Sequence, residues 1–471
     1  MSLVIANNVS SLNAQNNLTR SSSALARSIE RLSSGLKVNR GSDGPAALVI
    51  SEQQRAQIAG LRQAIENSEK AVSLVQTAEG ALNEINSLLV KVRSLALDSA
   101  NAGVNDDDAL AANQAEIANA LDTINRIANN TQFGTKKLLD GSAGIDGTPS
   151  DSDVTFLKAT SETTAGTYTV EVTTPGTRAA VSAGTDQTAA LGADEILTIN
   201  GVSISLSAGL SQPEVVNRIN EFTSQTGVSA EVDGTTTRLY TTAFGTDATI
   251  SVTSNTAAAA NSTGFGTTEL TDTGSNVIAE IDSVAFTGVG NVVTATSGVA
   301  NGLAIQFGVD SSDATSTVDN AQGNITITDK SLVFQVGANQ NQTVKVGVSR
   351  VNPTALGVGV TGNQFANLNE IDVTSATKAQ DAISVVDAAI DDVTNLRGTL
   401  GAFQANTLES GANNLRSTLE NTVNAESTIR DTDFAEEIAE FTKQQVLVQA
   451  GTSVLSNANQ SSQLVLSLLN G

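Results

Sequence analysis

The chain has 471 residues, with neither cysteine nor histidine, and 25 basic against 49 acidic side chains give it a formal charge of −24 at pH 7. That composition excludes a disulfide framework, a thiolate nucleophile, a histidine-based triad and any imidazole metal site. The acidic excess gathers in the middle of the chain and argues against a nucleic-acid partner. No run of about 18 apolar residues marks a membrane span. No P-loop is present, and the N-terminus lacks the basic patch and apolar stretch of a secretory signal. The expectation is a protein that is not an enzyme, with no cofactor, no metal site and no membrane contact.

The first element is a helix from about Leu3 to Leu36. Ile5, Val9 and Leu12, then Leu18, Leu25, Ile29, Leu32 and Leu36, recur at steps of three, four and seven and predict a narrow apolar seam. Gly35, Gly41 and Asp43-Gly44-Pro45 interrupt it. A second helix carries its seam through Ile58, Leu61, Ile65, Val72, Val75, Leu82, Ile85, Leu89 and Val92 and stops near Asn101–Asn105. A shorter helix through Leu110, Ile117, Leu121, Ile124 and Ile127 returns antiparallel to it. Asp106-Asp107-Asp108 stands where that helix begins, as Asp431-Thr432-Asp433 does before the last one. Both triplets read as N-terminal caps with favourable helix-dipole charge rather than as metal ligands.

Residues 141–369 change to a mixture of Thr, Ser, Gly and Val with period-two alternation, the pattern of strands and turns. Glu195 to Leu206 alternates about Asn200-Gly201, a pair suited to a type I′ hairpin. Ser211-Gln212-Pro213 opens a short helix through Val215, Val216, Ile219 and Phe222, and a strand pair straddles Asp233-Gly234. The density of hydroxyls permits O-linked glycosylation, with Thr173, Thr174 and Ser262 among the candidate acceptors. Helical spacing then resumes through Ile383, Val386, Ile390, Val393 and Leu400. A last helix runs through Phe434, Ile438, Phe441, Val448 and Leu455 toward Leu464, Leu466 and Leu469.

Neither terminal helix can bury its seam alone, and each is the natural partner of the other. Even paired, they keep apolar flanks at Leu3, Val4, Val446 and Leu468, so further copies of the chain are expected against them. The fold class is therefore α+β: long N- and C-terminal helices paired as a coiled coil and helical bundle, with an inserted, mostly β outer domain.

Three ordered blocks carry a family resemblance. Arg31-Leu32-Ser33-Ser34-Gly35-Leu36, Gln76-Thr77-Ala78-Glu79-Gly80-Ala81-Leu82, and Gln449-Ala450-Gly451-Thr452-Ser453-Val454-Leu455 with Ala458-Asn459-Gln460 resemble bacterial flagellin. The Ile-Asn-Gly-Val stretch about Asn200 is similar to a module inserted in flagellins and hook-associated proteins. Gly41-Ser42-Asp43-Gly44-Pro45 departs from the Asp-Asp-Ala-Ala-Gly-like stretch of many flagellins.

The resemblance implies a structural subunit that polymerises into the helical flagellar filament used for swimming motility. The alternatives are a hook-filament junction protein or a secreted adhesin using the central β domain. The implied layers are a core of 1–44 with 426–471, a bundle of 45–142 with 331–425 that includes a β-hairpin, and an outer domain of 143–330. The polymerisation seam would comprise Ile5, Val9, Leu12, Leu25, Ile29, Leu32, Phe434, Ile438, Phe441, Val448, Leu455 and Leu464. The implied partners are other copies of the chain, a flagellar export chaperone on the C-terminal helix, and the filament cap and hook-associated proteins. Export through the flagellar type III apparatus, without a cleaved signal peptide, would make the protein extracellular. The positions matching the flagellin stretch recognised by Toll-like receptor 5 include Lys91, Arg93, Leu95 and Glu116. Lys91 and Val90 replace the Arg and Gln of that motif, and a lysine cannot form the planar bidentate contacts of a guanidinium, so weakened recognition is expected.

Overall fold

The computed structural model describes residues 8–101, 103–160 and 162–469, with the side chains of 461–469 outside that description. Leu3, Val4 and Ile5 therefore lie outside the described residues. The helices are α1 (Val9–Ser34), α2 (Pro45–Ser99), α3 (Asp107–Asn130), α4 (Gln212–Asn220), α5 (Thr223–Thr226), α6 (Ala376–Ala402), α7 (Ser410–Arg430) and α8 (Phe434–Leu469).

Their ends follow from side-chain chemistry. The Asn8 side chain accepts from the Ser11 amide at 3.0 Å and opens α1. Gly35 closes it in the left-handed region, at φ 73°, with its N–H on the Arg31 carbonyl. The Asp106 carboxylate takes the Ala109 amide at 2.9 Å. Asp433 does the same for Ala435, also at 2.9 Å. Both aspartate triplets thus supply caps, which satisfy amides that a helix leaves open at its start.

α2 runs for 55 residues behind Pro45, which is placed where its missing N–H costs nothing. Its buried face, through Leu61, Ile65, Val75, Leu82, Ile85, Leu89 and Val92, keeps the steps read from the sequence. α6 and α7 are joined without a break by a π segment, Phe403–Glu409. Two compact units result. One comprises the described chain up to Glu69, Gln335–Thr343 and the chain from Glu409 onward; the other comprises Lys70–Phe334 and Val344–Leu408.

Among the described residues the strands of the β region pair antiparallel. A five-stranded sheet has the order Val284–Thr287, Ile278–Ile281, Gly166–Thr174, Asn320–Asp329, Ile145–Pro149. Val170, Val172, Ile281, Ile325 and Ile327 from it enter one core with Phe307. A second core belongs to an inserted module. Glu195–Ile199 and Val202–Leu206 pair about Asn200 and Gly201, both at positive φ (49° and 82°), as a type I′ turn demands. α4 opens on a Ser211–Glu214 capping box and buries Val215, Val216 and Ile219 against this hairpin. Val228–Asp233 and Thr236–Thr241 form the pair about Gly234. One expectation fails here: Ser262 is buried, with its hydroxyl turned to the Ala259 carbonyl, and is no exposed acceptor for a glycan. Thr173 and Thr174 remain exposed.

Candidate assembly surface

α1 and α8 lie antiparallel, with Asn8 Nδ2 donating to the Ala458 carbonyl at 3.0 Å at one end. At the other, the Arg31 guanidinium stands 3.5 Å from the Glu437 carboxylate. Beyond the helix ends the connecting segments also meet, in an isolated antiparallel bridge between Leu36 and Asp431.

Burial along the two helices defines their joint. On α1 the shielded positions include a line through Ser11, Ala14, Leu18, Ser21, Leu25, Ser28 and Leu32, flanked by Ala24, Glu30 and Arg31; on α8 they include a line through Glu437, Phe441, Gln444, Val448, Gly451, Leu455 and Ala458, flanked by Glu440. Both lines alternate steps of three and four, the 3.5-residue period of a left-handed coiled coil. Each helix places one large apolar side chain every seven residues, Leu18, Leu25 and Leu32 against Phe441, Val448 and Leu455. The alternate positions are small or polar. At one of them a Cβ on Gly451 would lie 3.3 Å from Leu18 Cδ1, so the glycine admits the leucine. Polar side chains such as Gln444 in the seam lower the stability of a pair.

The apolar positions read as one stripe therefore divide between two faces. Leu25, Leu32, Phe441, Val448 and Leu455 turn to the partner helix. Val9, Leu12, Ile29, Phe434 and Ile438 are exposed, together with Val446, Leu447 and Val454. Ile5 lies outside the described residues, and Leu464 lies in α8 with its side chain outside the description. α8 consequently carries apolar residues on all sides, a distribution typical of helices that are buried all round. The sequence reading missed the small and polar seam positions, although Ser11, Ala14, Ser21 and Ser28 stand at the three- and four-residue steps between the leucines.

A second cluster lies on α2, α3 and α6. Lys91 pairs with Glu116 at 2.5 Å. The Arg93 guanidinium meets Asp387 through Nε at 2.5 Å and Nη2 at 3.3 Å. The hydrogen bond to Asp387 raises the arginine's pKa above its ordinary value, with the carboxylate's charge adding to it. Leu95 is half-buried beside them. Asp387 has no signal in the sequence stripe, because it belongs to a helix nearly 300 residues further along. Among the described residues no helix is long and apolar enough to cross a membrane.

Long paired terminal helices, an inserted antiparallel β region and an apolar surface left over after pairing define a structural subunit built to associate with copies of itself. The family models make the class specific. Residues 5–144 match the bacterial flagellin N-terminal helical region, 383–469 the C-terminal helical region, and 196–256 the flagellin hook IN motif. The chain is 33% identical to the flagellin of Salmonella typhimurium and 35% identical to the B-type flagellin of Pseudomonas aeruginosa, with all of each chain covered in both comparisons. It belongs to the bacterial flagellin family. Among solved structures, FliC from Burkholderia pseudomallei is similar over 71% of this chain and 98% of its own, at 20% identity and a TM-score of 0.24. The flagellar hook associated protein-3 of Legionella pneumophila matches over 80% and 98%, at 11% identity and 0.30. The protein is thus a structural subunit of the bacterial flagellar filament, which polymerises with itself, and is not an enzyme.

Proposed function

We propose that the surface through which this chain polymerises is the outward side of the α1–α8 pair, with 1–44 and 426–471 as the filament's core layer. Residues 45–142 with 331–425 form the bundle layer around it, and 143–330 face outward. The observation that carries this reading is the eight large apolar residues exposed among the described side chains of the two helices: Val9, Leu12, Ile29, Phe434, Ile438, Val446, Leu447 and Val454. Completing the burial of such half-exposed side chains is worth roughly 1 kcal/mol apiece. Summed, that is comparable to the freedom a subunit loses on docking. A head-to-tail contact that does not close into a ring then propagates as an open helix. The test is electron microscopy after seeding, comparing the full chain with one lacking 1–44 and 426–471. Filaments from the full chain alone support the assignment; filaments from the truncated chain overturn it.

The same reading takes the subunit out through the flagellar type III apparatus without a cleaved signal, with an export chaperone covering Phe441 to Leu469 until assembly. The filament cap and hook-associated proteins meet it at the filament's ends. Recognition by Toll-like receptor 5 falls on Lys91, Arg93, Leu95 and Glu116 and is weaker than for a full-motif flagellin. The Lys91–Glu116 and Arg93–Asp387 pairs favour this, since both cations already hold carboxylates of their own chain. A reporter-cell response equal to that of a full-motif flagellin overturns it, whereas a gain on Lys91→Arg supports it.

A further inference from the structure

The inserted module meets the helical part of its unit through a buried lysine. Lys378, in the first turn of α6, is 7% exposed. Lysine is seldom buried to this degree, because its ammonium must leave water. Its Nζ donates to Asp372 Oδ2 at 2.8 Å and to the backbone carbonyl of Ser224 in α5 of the module. Thr374 Oγ1 donates to the same carbonyl at 2.9 Å. Asp372 is itself fixed, its other oxygen taking the Thr374 amide at 2.8 Å and lying 2.6 Å from the Thr374 hydroxyl, whose single proton it shares with the Ser224 carbonyl. Beside them Gln225 Nε2 reaches Asp107 at the start of α3, at 3.3 Å. The Ser224 carbonyl is one that a short helix leaves open at its end, and here it is filled from another part of the chain.

We propose that this cluster is a latch that fixes the orientation of the module on the ends of α3 and α6, with Lys378 as its positioning residue. The module's own folding does not require it. Its sheet, hairpin and α4 close their own core, which includes Leu197, Ile199, Ile204, Val215, Ile219 and Leu239 and none of the latch residues. The module has a second tether, Arg238 Nη2 to Asp313 Oδ1 at 2.8 Å, so opening the latch releases one end only. A charged joint suits orientation, because one carboxylate and one carbonyl take two of the ammonium's three donors from fixed directions. Removing either partner leaves a buried charge uncompensated.

The experiment is hydrogen exchange on the full-length monomer, comparing wild type with Lys378→Met. Peptides covering 223–227 and 371–379 are expected to exchange about tenfold faster, as a local opening would give. Strands Glu195–Ile199 and Thr249–Ser254 are expected to keep their protection. Unchanged protection at 223–227 overturns the proposal. So does loss of protection throughout the module, which would make the cluster part of the module's folding core. Should Lys378→Met fail to fold, Asp372→Asn is read by the same two criteria.

Discussion

Glu195 is a carboxylate at 2% exposure whose hydrogen bonds all come from neutral groups. It takes the Ser254 hydroxyl at 2.5 Å, the Thr263 amide at 2.9 Å and the Thr263 hydroxyl, so a strand end and a loop hang on one side chain. Glu195→Ala strands those donors, at about 1–3 kcal/mol for each left unsatisfied. The expected result is a fall of roughly 3 kcal/mol in the module's stability, read by urea denaturation followed at module amides. Half of this was legible: alternation puts Glu195 on the inward face with Leu197 and Ile199. The other half was not, because Thr263 stands 68 residues on, in a loop whose composition matches its neighbours. Two further carboxyls carry opposite pH signatures. The Thr315 hydroxyl holds Asp313 below its ordinary pKa, helped by the Thr315 amide and Arg238. Its stabilising contribution is present above the unfolded value and is lost as pH falls through the folded one. Burial raises Asp381, and the nearby charge of Asp247 adds to it, against the opposing hydrogen bond from Gln364. Its charged form therefore burdens the fold above its raised folded value, and the burden disappears below the unfolded one. Asp381→Asn is expected to raise the melting temperature at neutral pH, and the gain should vanish in acid; a gain that persists in acid rules out this cause.

Between α6 and α7 the buried side chains Leu400, Leu408 and Ala412 stand eight and four residues apart, with Gln404 half-buried between the first two, so this line advances by four where an α-helix would mix threes and fours. The π segment Phe403–Glu409 absorbs that excess, since a widened turn accommodates an extra residue while the flanking helices keep their phase. Deleting the exposed Asn406 is expected to return this stretch to α-helix without unfolding the chain. Amide protection across 400–412 should rise, and the melting temperature should hold or increase. A deletion that unfolds α7 would show instead that the wide turn is required. The signal lies in the spacing of Leu400, Leu408 and Ala412, beyond the apolar stripe that ends at Leu400. The terminal pair teaches a related lesson about elements. Apolar periodicity alone merged two faces of α1, because Val9, Leu12 and Ile29 stand at helical steps from the seam leucines. Only the small and polar residues between those leucines distinguish the shielded face from the open one. Helix ends were more legible, because Asp106, Asp433, Gly35 and Pro45 act through local chemistry that needs no distant partner.

Across the whole molecule, an exposed apolar side chain has two explanations, ordinary surface or a waiting contact, and only contiguity separates them. Val446, Ala450 and Val454 stand four apart on one line of α8, all exposed, with Leu447 beside them. None of them faces the seam with α1. Replacing Val446 and Val454 by Asp therefore removes no contact within the α1–α8 pair, so the helical content of the monomer should be unchanged and its unfolding free energy should stay within about 0.5 kcal/mol of wild type, the usual range for surface changes. In the polymer the same carboxylates would be driven into a dry contact between subunits, where an unpaired charge costs several kcal/mol. The expected outcome is a monomer that folds normally yet fails to elongate seeds at subunit concentrations where wild type forms long filaments. Leu25→Ala supplies the contrast, because Leu25 faces α8 and its loss should weaken the pair already in the monomer. Normal filaments from the double aspartate variant would remove this line of α8 from the assembly surface and leave Phe434, Ile438 and the exposed face of α1 as the positions to substitute next.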